Sequence, residues 1–266
     1  RATAVAVALA ARAGVDTLYC ASAGNAAISL AGFCAHAGLE CRVWVPARVS
    51  RERLGWLERY GARVEVSDGD YDRAFEESEA HGAARGWYSR NCAFNPFLVE
   101  GKKTVAFEVA EQLDWAAPDL VVAPVGDGCT LAAAGKGFRE LREIGLTGRL
   151  PRLVGVQAEA MQPLVRRFRG EAAVEERGGS RAASIAVRRP RNARRLLAEL
   201  EAAGGTLLAV PDAASEAAAA LLAREAGLVA ELASAAGLAG LLRLAGTESL
   251  AGKTAVLLVT GGRSEA

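Results

Sequence analysis

The sequence predicts an α/β protein with two open, mostly parallel sheets, each sandwiched between helices in three αβα layers. Short apolar runs alternate with helix-compatible stretches at the rhythm of βαβ units. Glycine or proline follows several of those runs, as at Gly24, Pro46 and Gly126. The rhythm breaks once, around Asn95-Pro96, which divides the chain into two α/β units. At 266 residues, 51% hydrophobic and 24% charged, the chain is long enough for two modest cores.

Residues 2–13 are alanine-rich and helical up to Gly14, with no capping residue ahead of them. A strand at 17–21 turns through Ser22-Ala23-Gly24-Asn25 into a helix at 26–37. A strand at 41–45 ends at Pro46, and Ser50 caps a helix to residue 60 with Leu54 and Leu57 at helical spacing. A strand at 62–66, a polar helix at 71–85 and a short edge strand at 87–89 complete the first unit. The second opens with a long helix at 99–113, a strand at 120–123 and a helix at 131–141. A strand at 153–157 and a helix at 161–168 follow; 170–190 is charged, glycine-punctuated and aperiodic, hence a loop. A helix at 191–203, a strand at 206–210 and a helix at 213–225 capped by Asp212 come next. Residues 231–235 link to a helix at 236–245, and 254–259 form a final buried strand.

The totals exclude several classes. A formal charge of +1 gives no general attraction to nucleic acid or membrane. Only Lys102, Lys103, Lys136 and Lys253 of the 32 basic residues are lysines, a composition bias and not a binding surface. Five scattered cysteines without CxxC spacing, and His36 and His81 alone, predict no metal site and reduced thiols in a cytoplasmic protein. No apolar run reaches the roughly 18 residues of a membrane span.

The stretch around which the second unit is organised is the bend after strand 120–123. Gly126-Asp127-Gly128-Cys129-Thr130 lets successive N–H groups point inward just where a helix begins with unpaired donors and a positive dipole end. Such a bend cradles an anion, a phosphate above all; an ordinary tight βα turn is the alternative reading. Leu131 stands where a dinucleotide fingerprint needs its third glycine, and no acidic residue completes that signature, so NAD is not expected. Gly252-Lys253-Thr254 suggests a nucleotide-binding protein, but the spacing from Gly246 is one residue too long for a P-loop and a strand follows.

Six stretches share an order and spacing that cover nearly the whole chain. They are Ala21-Ser22-Ala23-Gly24-Asn25; Asn95-Pro96 with Glu100-Gly101-Lys102-Lys103-Thr104; Gly126 to Leu131; Val154-Gly155-Val156-Gln157; Glu231-Leu232-Ala233-Ser234-Ala235; and Val259-Thr260-Gly261. Together they resemble the tryptophan-synthase-β-like, fold type II pyridoxal-phosphate enzymes, and within these the threonine synthase branch. The resemblance implies a smaller mobile domain at 14–96 that covers substrate and cofactor, a larger phosphate-binding domain at 97–266, and a site in the cleft between them, with helix 1–13 leading in. It implies pyridoxal 5'-phosphate held by Gly126, Asp127, Gly128, Cys129 and Thr130, with Asn25 on its phenolic oxygen and Thr260 at its pyridine nitrogen. Backbone donors of Ser22, Ala23, Gly24 and Asn25 are expected to hold the substrate carboxylate, although simple helix capping by Ser22 and Asn25 is the plainer reading. A carboxylate beside a phosphate is repulsive, so the Asp127 side chain is expected to point outward. The Schiff-base lysine of the family is expected just ahead of Arg1, since none of the four lysines present has its context: Lys102 and Lys103 read as solvated and Lys136 and Lys253 as surface residues. The catalytic residue itself is therefore unknown within this sequence.

The family also places an Asn-Ser pair and an arginine around Glu-Gly to grip a substrate phosphate; this chain has Cys92-Ala93 and Leu98 there. Leu232 replaces a proline, and Arg263 stands where histidine is usual; Arg90 or Arg263 is left as a displaced anion ligand. The expected activity is elimination or replacement at the β or γ carbon of an amino acid such as a phosphorylated serine or homoserine. Threonine synthesis from O-phosphohomoserine and cysteate- or cysteine-type β-replacement are the alternatives within that class. A non-catalytic homologue and a nucleotide-binding protein lie outside it. A homodimer is expected, with no nucleic-acid or membrane partner.

Overall fold

The computed structural model describes residues 1–172, 174 and 179–262, which form two compact units, Arg1–Lys102 and Lys103–Ala266. In the first, α1 (Ala2–Arg12), β1 (Thr17–Ala21), α2 (Asn25–Ala37), β2 (Glu40–Val45), α3 (Arg51–Arg59), β3 (Arg63–Val66), α4 (Tyr71–Arg85) and β4 (Tyr88–Ser89) follow in order. The sheet runs β3-β2-β1-β4, all pairs parallel, with Thr17 to Ala21 opposite Glu40 to Trp44. Alternation along β1 sorts its side chains. Leu18 and Cys20 enter a core with α1 and α2 residues such as Ala6 and Leu30, while Tyr19 and Ala21 join Trp44 and Phe75 on the other face. Ser50 caps α3 as expected, its Oγ accepting from the Arg53 N–H (3.3 Å); Asp70, not singled out in the sequence, accepts from the N–H groups of Asp72 and Arg73 at the start of α4.

Helix α5 (Phe97–Gln112) leads into the second unit. There β5 (Leu120–Pro124), α6 (Cys129–Glu143), β6 (Arg152–Ala158), α7 (Pro163–Phe168), α8 (Ala193–Ala202), β7 (Thr206–Val210), α9 (Asp212–Ala226), α10 (Leu232–Ala245) and β8 (Ala255–Leu257) follow. Its parallel sheet runs β7-β6-β5-β8. One face is covered by α6, α7 and α8 around Leu131, Phe138, Leu153 and Leu196; the other by α9 and α10 around Val154, Val156, Ala218 and Ala236. Central strand β5 is buried at every position, so the bend at its carboxyl end is fixed from below.

Four expectations are corrected. Residues 231–235 do not link to a later helix: α10 starts at Leu232. Asp212 is not the cap of α9. It is already helical, Pro211 is the N-cap, and its carboxylate accepts instead from Ser180 Oγ (2.6 Å) and the Arg181 N–H (2.8 Å). The last strand is short and lies at the sheet edge, with Val256 and Leu257 half-buried, because a β8 neighbour is present on one side alone among the described residues. Within the 170–190 loop, Ala183–Ile185 form a 3-10 turn; 173 and 175–178 lie outside the described residues.

Candidate active site

The second unit supplies the bend. Gly128 is the N-cap of α6 at φ 91°, a left-handed conformation that suits glycine, and Cys129 and Thr130 open the helix. The Ala132 N–H donates to the Gly128 carbonyl (3.2 Å), so those of Cys129, Thr130 and Leu131 precede the helix's own bonding. Behind the bend, a Cβ on Gly126 would meet the Ser184 carbonyl oxygen at 2.8 Å; the loop wall therefore requires glycine there. Asp127 turns its carboxylate to that wall, accepting from the Arg191 N–H (2.6 Å) and from Asn192 Nδ2 (2.5 Å). Cys129 is buried and Thr130 half-buried.

This donor set fits a dianion. A fifteen-residue helix points its positive end at the bend, and the one carboxylate in the bend is engaged by two donors on α8's approach. The Arg191-Asn192 pair that braces Asp127 was not legible as part of a site, since the sequence places both in a helix at 191–203 and nothing in them points to a residue more than sixty positions away.

Thr260 lies three residues beyond β8, where its Oγ1 is 3.0 Å from Ser234 Oγ in the first turn of α10. Ser234 is buried, and the Glu231 N–H donates to the Gly261 carbonyl (3.0 Å), so the chain after β8 is tied to the start of α10. The group that Thr260 presents is a neutral hydroxyl. Gln157, also singled out by its motif, is structural: its buried Oε1 accepts from the Leu164 and Val165 N–H groups and starts α7.

In the first unit, Ser22 Oγ accepts from the Gly24 N–H (3.1 Å), and Arg53 Nη1 donates to the Ala23 carbonyl (3.3 Å). Gly24 is the N-cap of α2, and Asn25 is its exposed first residue. A residue that sequence reasoning missed braces this turn. Buried Asn91 accepts from the Ala21 N–H (3.0 Å) through Oδ1 and donates through Nδ2 to Ser78 Oγ (3.1 Å) and Glu79 Oε1 (2.7 Å). Glu79 also takes the Tyr19 hydroxyl (3.1 Å); burial first, then Glu79, push that phenol up to about 12 against the opposing Ser89 contact.

Other expected residues resolve differently. Leu98 is fully buried in the first core, with no room for a guanidinium. Lys103 and Lys136, read as solvated or surface lysines, both pair with Glu140 (2.6 and 2.5 Å), because α5 and α6 pack against each other. Thr254, from the nucleotide-like Gly-Lys-Thr, donates its N–H to Asp119 (2.8 Å) at the entry to β8, away from any helix start. Arg263 lies outside the described residues. Among the described residues no cluster of three or more His, Cys, Asp or Glu side chains could hold a metal, and no helix is long and apolar enough to cross a membrane.

Comparison with known proteins gives a consistent pattern. A family model for pyridoxal-phosphate dependent enzymes matches residues 1–261. Threonine synthase from Methanocaldococcus jannaschii is 36% identical over 226 residues, 84% of this chain and 56% of that protein. Threonine synthase from Halalkalibacterium halodurans is 34% identical over 259 residues, 97% of this chain and 71% of its own. The chain thus spans a little over half the length of the first of these relatives. Among solved structures, maize serine racemase superposes with a TM-score of 0.83 at 15% identity, covering 99% of this chain and 78% of that one. The processed form of threonine deaminase isoform 2 from Solanum lycopersicum gives 0.82 at 17% identity, covering 99% and 71%. These last likenesses are of fold.

Proposed function

The chain belongs to the pyridoxal-phosphate dependent enzymes, among the threonine synthases, and from that premise we propose that it eliminates or replaces a leaving group on an amino acid. The substrate class is a serine or homoserine whose side-chain oxygen carries a phosphate or similar group. Pyridoxal 5'-phosphate, the cofactor of this family, supplies when bound a conjugated electron sink at the substrate's reacting carbons.

The residues divide the remaining work. N–H groups of Gly126, Asp127, Gly128, Cys129 and Thr130, with the Thr130 hydroxyl, would hold the cofactor phosphate at the start of α6. Thr260, tied to Ser234, would offer the pyridine nitrogen a neutral hydroxyl and no carboxylate, a partner that would suit leaving-group expulsion. Asn25 would donate to the phenolic oxygen, and the N–H groups from Ser22 to Asn25, at the start of α2, would hold the substrate carboxylate. Residues 14–96 thus carry the substrate turn and 97–266 the phosphate bend, in a cytoplasmic homodimer whose cysteines stay reduced.

The bend carries this proposal: a glycine-capped helix start whose own carboxylate is turned to Arg191 and Asn192. The test is full-length protein incubated with O-phosphohomoserine, and separately with O-phosphoserine plus sulfite. Release of threonine or of cysteate supports it; neither product, from protein lacking a borohydride-sensitive near-visible band, refutes it and leaves a non-catalytic homologue. Buried Leu98 and the Cys92-Ala93 pair lack the family's usual grip on a substrate phosphate, and the two incubations separate threonine formation from β-replacement.

A further inference from the structure

Among the described residues, the first unit holds a buried cation with no anion beside it. Arg90 stands one residue past the carboxyl end of β4, its N–H donating to the Tyr19 carbonyl (2.8 Å). The residue is 8% exposed. Nε and Nη2 both reach the same acceptor, Thr3 Oγ1, at 3.4 Å, and Nη1 reaches Cys92 Sγ at 3.8 Å. Two bonds near the distance limit and one to sulfur are a weak set for five N–H donors.

Among the described residues no carboxylate lies within ion-pair reach of this guanidinium. Glu79 bonds Ser89 Oγ (2.9 Å) and Asn91 (2.7 Å), on the face of the sheet to which Ser89 points, whereas Arg90, the next residue, turns its guanidinium to Thr3 and Cys92. Thr3 lies in the first turn of α1, whose positive end also repels a cation. A guanidinium does not shed its proton, so burial without a counter-charge is a standing penalty that an arriving anion would relieve.

The surroundings say where that anion sits. Ser29 Oγ donates to the same Thr3 oxygen (3.0 Å), and Ser29 is four residues after Asn25, on the same face of α2. Arg90 and the Ser22–Asn25 turn both lie at the carboxyl ends of strands, where open α/β sheets bind ligands. The turn offers single backbone donors suited to a carboxylate; the Arg90 fork suits the paired oxygens of a phosphate.

We propose that Arg90 receives the oxyanionic leaving group, a phosphate or sulfate ester, of the amino-acid substrate, in place of the arginine that Leu98 replaces. The assignment rests on the function proposed above. Thr3 and Ser29 position the fork and do not themselves need to touch substrate.

The test compares wild-type full-length holoenzyme with Arg90→Gln and Arg90→Lys, using O-phospho and O-acetyl forms of serine and homoserine. Arg90→Gln should lower kcat/KM roughly 30-fold or more on the phosphorylated substrates and less than about threefold on the acetylated ones, with Lys recovering part of the loss. Equal losses on both kinds, or none, overturn the assignment while the cofactor proposal stands. Calorimetric titration of orthophosphate into the holoenzyme decides the matter without turnover: binding weakened at least about tenfold in Arg90→Gln supports the assignment, and equal affinity overturns it. Cofactor absorbance of the Gln variant should match wild type and its thermal midpoint should not fall below it, since the substitution removes an unpaired buried charge.

Discussion

Gly128→Ala separates the bend's role from ordinary helix capping, because α6 ends as it begins, with a left-handed glycine. Gly128 lies at φ 91° ahead of the helix and Gly145 at φ 77° after it. Alanine at either position carries left-handed strain of roughly 1–2 kcal/mol. At Gly145 nothing lies within 4 Å of the added methyl group, so strain is the whole effect. At Gly128 the methyl would stand 3.3 Å from Leu196 Cβ and Cδ2, and crowding brings the total to about 2–3 kcal/mol. For a chain of this size the thermal midpoint should fall roughly 5–10 °C for Gly128→Ala and about half that for Gly145→Ala. Cofactor retention should split them further. Turning even one charge-assisted N–H away from a phosphate weakens binding roughly tenfold or more, and Gly145 has no part in that. Absorbance titration of pyridoxal phosphate into full-length apoprotein reads it. Equal cofactor affinity in the two variants would refute the reasoning, whatever their stabilities.

Three further outcomes are expected. Asp127→Ala leaves the Arg191 N–H and Asn192 Nδ2 without their acceptor and should lower stability in denaturant by about 1–3 kcal/mol, with Asp127→Asn losing less; an unchanged midpoint in both would remove the brace from the account. Burial works to raise the Glu140 carboxyl, but the hydrogen bonds from Lys103 and Lys136 override it and hold the group below its ordinary 4.5. Its contribution is therefore fully present above that value and disappears as pH falls through the lower folded one, so Glu140→Gln should flatten the acid limb of a stability–pH curve; parallel limbs would contradict the pairing. Half-buried Cys92 should be the first thiol of the first unit modified by an aromatic disulfide, ahead of Cys20, whose thiol burial pushes up to about 12; mapping by mass spectrometry that found Cys20 first would contradict the packing.

The alternation of strands and helices was legible because each buried parallel strand needs a short, nearly continuous apolar run, as Leu120-Val121-Val122-Ala123 provides. The glycine bend was legible for the same local reason: Gly128 answers a backbone need stated within five residues. What the sequence hid is long-range. Asp127 is braced by residues more than sixty positions away, and Asn91 reaches back seventy positions to hold Ala21. Neither partner carries a periodic or motif signal. Asp212 misled because a capping residue type and an acid that binds a neighbouring loop look alike in one dimension. Lys103 misled because it reads as the start of a helix at 99–113, whereas it sits in the second turn of α5 with its ammonium on Glu140 of α6.

The central claim is that the bend from Gly126 to Thr130 clasps the cofactor phosphate. Electron density for full-length protein crystallised with its own cofactor tests this most directly. The account predicts a phosphate within hydrogen-bonding distance of the N–H groups opening α6, with the Asp127 carboxylate still turned to Arg191 and Asn192. A coloured protein whose density leaves that bend empty, or fills it with the phosphates of an adenine nucleotide, would contradict it.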